Sequence, residues 1–225
     1  MKRVYLLLVI LLTLSACEQT NTSTDENDTA VAVRDIDAKD AKNIQIPKST
    51  KGDLTKKASD FVTEDRSVLS AVDFETASQM CAQALSEYYK AIWNGTDIDL
   101  DTYIDNENLK QYTQNKITSQ YGLFLKNKLT YNQVTDVDID AEKKADFYER
   151  DQRFFYFKLN AHVKKDLGNF AEPTEFLVQN LNGKLVIVDW YTGAKDSYDS
   201  AVRGENQTID NPGIWDELGI GKPIY

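Results

Sequence analysis

TEFLVQNLNGKLVIVDWY, residues 174–191, has the pattern of a β-hairpin. Two runs rich in β-branched and aromatic residues flank Asn182 and Gly183, a pair that favours the positive φ angles of a two-residue turn. A regular register from this turn places Phe176 opposite Asp189. The hairpin predicts that the C-terminal half of the chain forms an antiparallel sheet.

Two further strands are predicted upstream of the hairpin. Residues 152–166, QRFFYFKLNAHVKKD, alternate apolar and polar side chains, as expected of a strand with one face on a core. Residues 133–139 alternate in the same way. The predicted core face of the longer strand consists of Phe155, Phe157, Leu159, Ala161 and Val163.

A long amphipathic helix precedes the strands. Asp73 can cap it, an apolar stripe with helical spacing runs to Trp93, and Asn94-Gly95 is typical of a helix end. Cys81 lies on this stripe and is interpreted as a small core residue.

A second helix is predicted to start at Asn106 or Asn108, and Gly122 is expected to weaken it or end it early. Helices followed by hairpin-connected strands predict an α+β domain, with an antiparallel sheet folded over the helices.

The N-terminus has the organisation of an export signal, with Lys2 and Arg3 before a short apolar run. Leu14-Ser15-Ala16-Cys17 resembles the bacterial lipoprotein box. In that family the cysteine sulfur receives a diacylglyceryl group, and cleavage leaves the cysteine as the N-terminus. The resemblance implies a membrane anchor on Cys17, outside the cytoplasm. An ordinary secretory leader and a retained short anchor remain open.

Composition restricts the possible partners. The 225-residue chain has a formal charge of −10, which becomes −12 if residues 1–16, with their two basic residues, are removed. An acidic chain is a poor ligand for nucleic acid and is repelled by anionic lipid or wall polymers. Residues 17–69 are polar and predict a flexible acidic linker. About forty such residues average roughly 35 Å end to end.

Residues 70–192 resemble the nuclear-transport-factor-like superfamily, also called the cystatin-like cone fold. The resemblance depends on Tyr88, Tyr89 and Trp93 near the end of the long helix, and on the final hairpin. It implies a curved sheet forming a cone over the N-terminal helices. Residues 193–225 are expected to form an extension that docks on this domain.

Enzymes of this fold use a carboxylate, histidine or tyrosine in an apolar pocket. The candidates here are Asp189 and Tyr88, which could face a cone cavity, and His162, the single histidine. The alternative to catalysis is an ordinary structural position: Asp189 at a strand end that meets water, and His162 at an exposed position on a strand. No nucleophile motif accompanies them, so an enzyme is the less favoured interpretation.

Asp97, Asp99 and Asp101 alternate as the first ligands of a calcium loop do. The glycine and the glutamate that complete such a loop are missing, so no metal and no cofactor are predicted.

Three functions follow from this sequence. The first is a lipid-anchored extracytoplasmic module that binds a protein, peptide or cell-wall partner, with Tyr121 or Tyr156 in a contact groove. The second is a small-molecule enzyme or carrier that uses the cone cavity. The third is a scaffold subunit of a secretion or conjugation apparatus.

Overall fold

The computed structural model describes residues 61–66, 69–141 and 154–217. The predicted leader, Cys17, the linker up to residue 60 and the last eight residues lie outside this part of the chain. Within it, helices precede a four-stranded antiparallel sheet that does not close on itself, which confirms the predicted α+β class.

The strands follow one another as a meander, in the spatial order β1-β2-β3-β4. The elements are α1 (Ala71–Asn94), α2 (Glu107–Lys126), β1 (Val134–Ala141), β2 (Phe154–Lys165), β3 (Asn169–Leu181), β4 (Lys184–Thr192), α3 (Tyr198–Arg203) and α4 (Ile214–Glu217).

Helix α1 begins after Ser70, so the prediction that Asp73 is the cap is wrong by three residues. The Ser70 hydroxyl accepts a hydrogen bond from the Asp73 amide, and the Asp73 carboxylate accepts one from the Ser70 amide at 2.7 Å. This reciprocal capping box satisfies two free amides instead of one. Gly95, at φ 70°, ends the helix as predicted.

Helix α2 is capped by Asn106, one of the two predicted residues, whose side-chain oxygen accepts bonds from two backbone amides. It then continues through Gly122 to Lys126, so the expected early end is wrong. The ring of Phe124 stacks on Trp93 at 4.2 Å. Glycine in a helix interior is about 1 kcal/mol less favourable than alanine. The contact between the two rings stabilises the last turn and offsets this cost.

The hairpin turn forms as predicted, because Asn182 and Gly183 both have positive φ, at 55° and 96°. Residue Phe61 precedes the helices and lies beside this turn. It is fully buried against Tyr103, and the next residue pairs with Lys184. Contact with the sheet therefore starts earlier in the chain than the predicted domain boundary at residue 70.

The register of the hairpin differs from the prediction towards its open end. Leu177 pairs with Asp189 and Phe176 with Trp190, so the expected Phe176–Asp189 pair is wrong. The cause is a bulge: Val188 is an extra residue on β4. The bulge shifts every later β4 residue by one position and re-aims Asp189.

Helix α1 packs on the predicted core face of β2, and the five residues of that face are all buried. Phe74 contacts the rings of Phe155 and Phe157, with centroids 5.4 and 4.9 Å away. The last described segment packs on β4, where Ile209 joins a cluster of buried apolar side chains. These residues are Leu177, Val186, Val188 and Tyr191.

In the described ranges, every helix is too short or too polar to cross a bilayer.

Candidate functional site

A buried ion pair joins β4 to the residues that follow it, 193–217, which we call the C-terminal segment. The guanidinium of Arg203 donates to both carboxylate oxygens of Asp189, at 2.9 and 2.8 Å. The Trp215 indole and the Trp190 amide donate to the same carboxylate, at 3.1 and 2.8 Å. Arg203 also lies 5.2 Å from the ring centroid of Tyr191. Such bidentate geometry with further donors is what a buried charge pair needs for stability.

A second buried ion pair lies between α2 and α3. The ammonium of Lys116 is 2.6 Å from a carboxylate oxygen of Asp199, and their side chains are 2% and 0% exposed. The same carboxylate accepts bonds from the Tyr112 hydroxyl and the Thr192 amide, each at 2.6 Å. The lysine also lies 4.9 Å from the ring centroid of Tyr88. Each ionised group is therefore matched by charge and by hydrogen bonds.

Burial, followed by the negative charge of Asp199, raises the pKa of both Tyr88 and Tyr112. Burial and Glu172, which accepts a 2.7 Å bond from its hydroxyl, raise the pKa of Tyr89. These phenols stay protonated at neutral pH and act as hydrogen-bond donors or aromatic packing.

The structure places the sequence candidates Asp189 and Tyr88 in these packed surroundings. Asp189 is 1% exposed and is held by Arg203. Its side chain faces the C-terminal segment because of the bulge in β4. Tyr88 is 4% exposed and meets Trp190 edge-on at 5.3 Å. Trp215 contacts the Asp189 carboxylate, and Lys116 and Trp190 pack against the Tyr88 ring.

His162 is exposed on β2, away from both ion pairs. Its Nε2 lies 3.1 Å from a carboxylate oxygen of Asp140, which is exposed too. It borders an open depression of about 470 Å³ on the sheet surface, together with Lys164 and Asn169. Lys164 is engaged by Asp136 and Asp138.

The three alternating aspartates do not converge on one point. Asp101 pairs with Lys110 at 2.7 Å, and Asp99 accepts a bond from the Thr102 hydroxyl. Among the described residues, no group of three or more His, Cys, Asp and Glu side chains could hold a metal ion. Cys81 is buried on α1, and burial raises the pKa of its thiol.

Exposed apolar side chains collect at one end of the domain. The C-terminal end of α2, the loop after it and the β2–β3 turn contribute five of the eight large apolar residues that are exposed in the described ranges. We call these five residues the apolar tip: Leu123, Leu125, Leu129, Tyr131 and Leu167.

Sequence reasoning singled out Asp189, but it missed the other three ion-pair residues, Arg203, Lys116 and Asp199, and the apolar tip. Lys116 did leave a signal, since it lies seven residues after Leu109 on the buried stripe of α2. A lysine at such a position indicates a buried partner. Asp199 and Arg203 lie in a polar segment without periodicity, and only the fold brings them to β4.

Neither the chain's family nor a relative is shown by comparison. No protein-family model, curated protein or solved structure matches the chain. What the protein does is therefore inferred from its own residues.

Proposed function

We propose that the protein is a lipid-anchored extracytoplasmic module that acts by contact with another surface. The lipid is carried by Cys17, the acidic linker separates it from a nuclear-transport-factor-like domain, and the domain presents the apolar tip. One observation carries the contact role: the buried charges are paired with each other, while five large apolar side chains are left exposed at one end of the domain.

The buried ion pairs favour a binding role over a catalytic one for a physical reason. A general acid or base needs a reacting atom within hydrogen-bond reach. The oxygens of Asp189 already accept bonds from Arg203, Trp215 and the Trp190 amide. An enzyme or carrier that used the cone cavity would have to displace these groups.

The tip supports contact because exposed apolar groups are costly unless they meet a partner. Tyr131 is 70% exposed, Leu167 64% and Leu125 54%. Clusters of this kind on a soluble domain mark interaction sites.

The anchor is tested with two cysteine variants. Cells that make the wild-type chain, Cys17→Ala or Cys81→Ala are supplied with labelled fatty acid and then fractionated. We expect label in the wild-type and Cys81→Ala chains, both in the membrane fraction, and none in Cys17→Ala. Equal labelling of the two variants, or none in the wild type, would contradict the proposal.

The side of the membrane is tested by adding protease to cells stripped of outer barriers. We expect the domain to be degraded while the cells remain intact. Protection of the chain until the cells are lysed would place the domain in the cytoplasm and remove the proposed function.

A further inference from the structure

The apolar tip lies at the opposite end of the domain from the start of the described chain. Phe61 and Val62 lie beside the β3–β4 turn, whereas Leu167 lies two residues before the other end of β3. Strand β3 has 13 residues. At 3.3 Å a residue the two ends are separated by about 40 Å.

The tip is held in shape by the fold beneath it. Asn132 joins the loop after α2 to the β2–β3 turn, since its side chain donates to the Leu167 carbonyl at 2.7 Å and accepts from the Leu167 amide at 2.6 Å. The stacked pair of Trp93 and Phe124 lies under the last turn of α2. The exposed side chains are therefore displayed on packed backbone.

Local charge at the tip is opposite in sign to the charge of the whole chain. Residues 121–133 contain Lys126 and Lys128, both exposed, and no carboxylate. Lys165 lies over the Trp93 ring at 4.0 Å, and Asp166 is the one acidic residue of the neighbouring turn. The chain as a whole carries −10.

These local charges decide what the tip meets, because salt screens charges over about 8–10 Å. The first two acidic residues of β1, Asp136 and Asp138, are paired with Lys164. The acidic residues at the far end of β3 lie several screening lengths away. The repulsion from anionic lipid expected from the net charge thus does not extend to the tip.

We infer that the apolar tip docks on a membrane surface that contains anionic lipid. Leucine and tyrosine side chains enter the headgroup region while lysines bind phosphate, as in interfacial protein segments. The inference rests on the proposed function and names the partner of the same surface. About forty residues span roughly 130 Å when fully extended, so the predicted linker is long enough for the tip to reach the bilayer that holds Cys17.

Charge also favours anionic lipid over a second copy of the chain as the partner of the tip. A two-fold contact through the tip would bring Lys126 and Lys128 of both copies together, and like charges at close range oppose association. An anionic lipid surface matches both the lysines and the apolar side chains.

The experiment uses the full processed chain, carrying its own lipid, in vesicles of phosphatidylcholine and phosphatidylglycerol. A fluorophore is attached at Tyr131→Cys in one sample and at Val72→Cys in another. Val72 is a matched control, since it is 56% exposed but lies at the start of α1, the far end of the domain. Lipid-borne bromine reports depth by quenching, and vesicle flotation reports the anchor.

We expect several-fold stronger quenching at position 131 than at position 72. The excess should disappear in phosphatidylcholine vesicles and in a Lys126→Gln/Lys128→Gln variant, while flotation persists. Floating protein with equal quenching at both positions would overturn the tip inference alone. Protein that does not float would overturn both the anchor and the tip. Shielding of position 131 that requires added membrane protein would overturn the inference in favour of a protein partner.

Discussion

Arg203 holds the C-terminal segment to the sheet through a single buried carboxylate. Its replacement by an apolar side chain would leave the Asp189 carboxyl group, which is 1% exposed, without its cation. Breaking a buried pair from one side costs about 3–5 kcal/mol. We therefore expect Arg203→Met to lower the free energy of unfolding by about 3 kcal/mol in urea titrations.

The double variant Asp189→Leu/Arg203→Met is the informative control, because it leaves no unpaired charge. It should be more stable than Arg203→Met alone. Lys195→Met, on an exposed loop, should match the wild type. If the single and double variants lost equal stability, the ion pair would not be the reason for the loss.

The buried tyrosines predict a loss of stability in alkali. Burial raises the pKa of Tyr88, Tyr89 and Tyr112 in the folded chain, whereas unfolded tyrosine ionises near 10. Above that pH only the unfolded chain releases these protons, so alkali favours unfolding. Each tyrosine should lower the free energy of unfolding by about 1.4 kcal/mol per pH unit above pH 10.

Urea titrations from pH 8 to pH 11 check this prediction. Tyr112→Phe removes one of the titrating groups and should flatten the slope above pH 10 by one proton. A slope that stays the same in this variant would mean that Tyr112 ionises while the chain is folded.

At the scale of elements, two glycines at the same end of the domain should respond in opposite ways to alanine. Gly95 ends α1 at φ 70°, and a Cβ there would lie 2.7 Å from the Tyr121 ring. Gly122 is inside α2, where a Cβ would meet nothing within 4 Å apart from its chain neighbours and the backbone of its own helix. Gly95→Ala should cost at least about 1 kcal/mol, and Gly122→Ala should add about 0.5–1 kcal/mol.

Thermal and urea unfolding of the two variants measures both changes. The pair is a matched test because the same substitution is made on the two helices that meet at this end of the domain. Stabilisation by Gly95→Ala, or destabilisation by Gly122→Ala, would contradict the packing described for this end.

The elements differ in how far the sequence predicts them. The turn at Asn182-Gly183 and the core face of β2 follow from local chemistry and period-two alternation, and both are confirmed. The bulge at Val188 has no local signature, because an extra residue among β-branched neighbours keeps the strand pattern. The continuation of α2 past Gly122 depends on the Trp93–Phe124 contact, which is tertiary.

The same limit applies to the site. Asp189 and Tyr88 could be singled out by residue type and position in a hairpin or helix. The residues that pair with them could not be predicted. Arg203 and Asp199 lie in a segment whose sequence has neither the period-two alternation of a strand nor the apolar spacing of a helix. Exposure of the apolar tip is likewise a property of the assembled fold.

At the scale of the whole molecule, the domain is acidic overall, with a basic, apolar end. A net charge far from zero favours solubility in general, and the apolar tip is the part of the described surface that departs from it. An anchor at the N-terminus would raise the local concentration of that surface at the membrane. The lipid on Cys17 is thus the central claim, since the other functional proposals depend on it.

The intact mass of the protein extracted from membranes tests that claim most directly. The account predicts a chain that begins at Cys17 and carries a diacylglyceryl group, with Cys81 unmodified. A chain that begins at another residue with an unmodified Cys17, or one that retains Met1 and the apolar run, would contradict it.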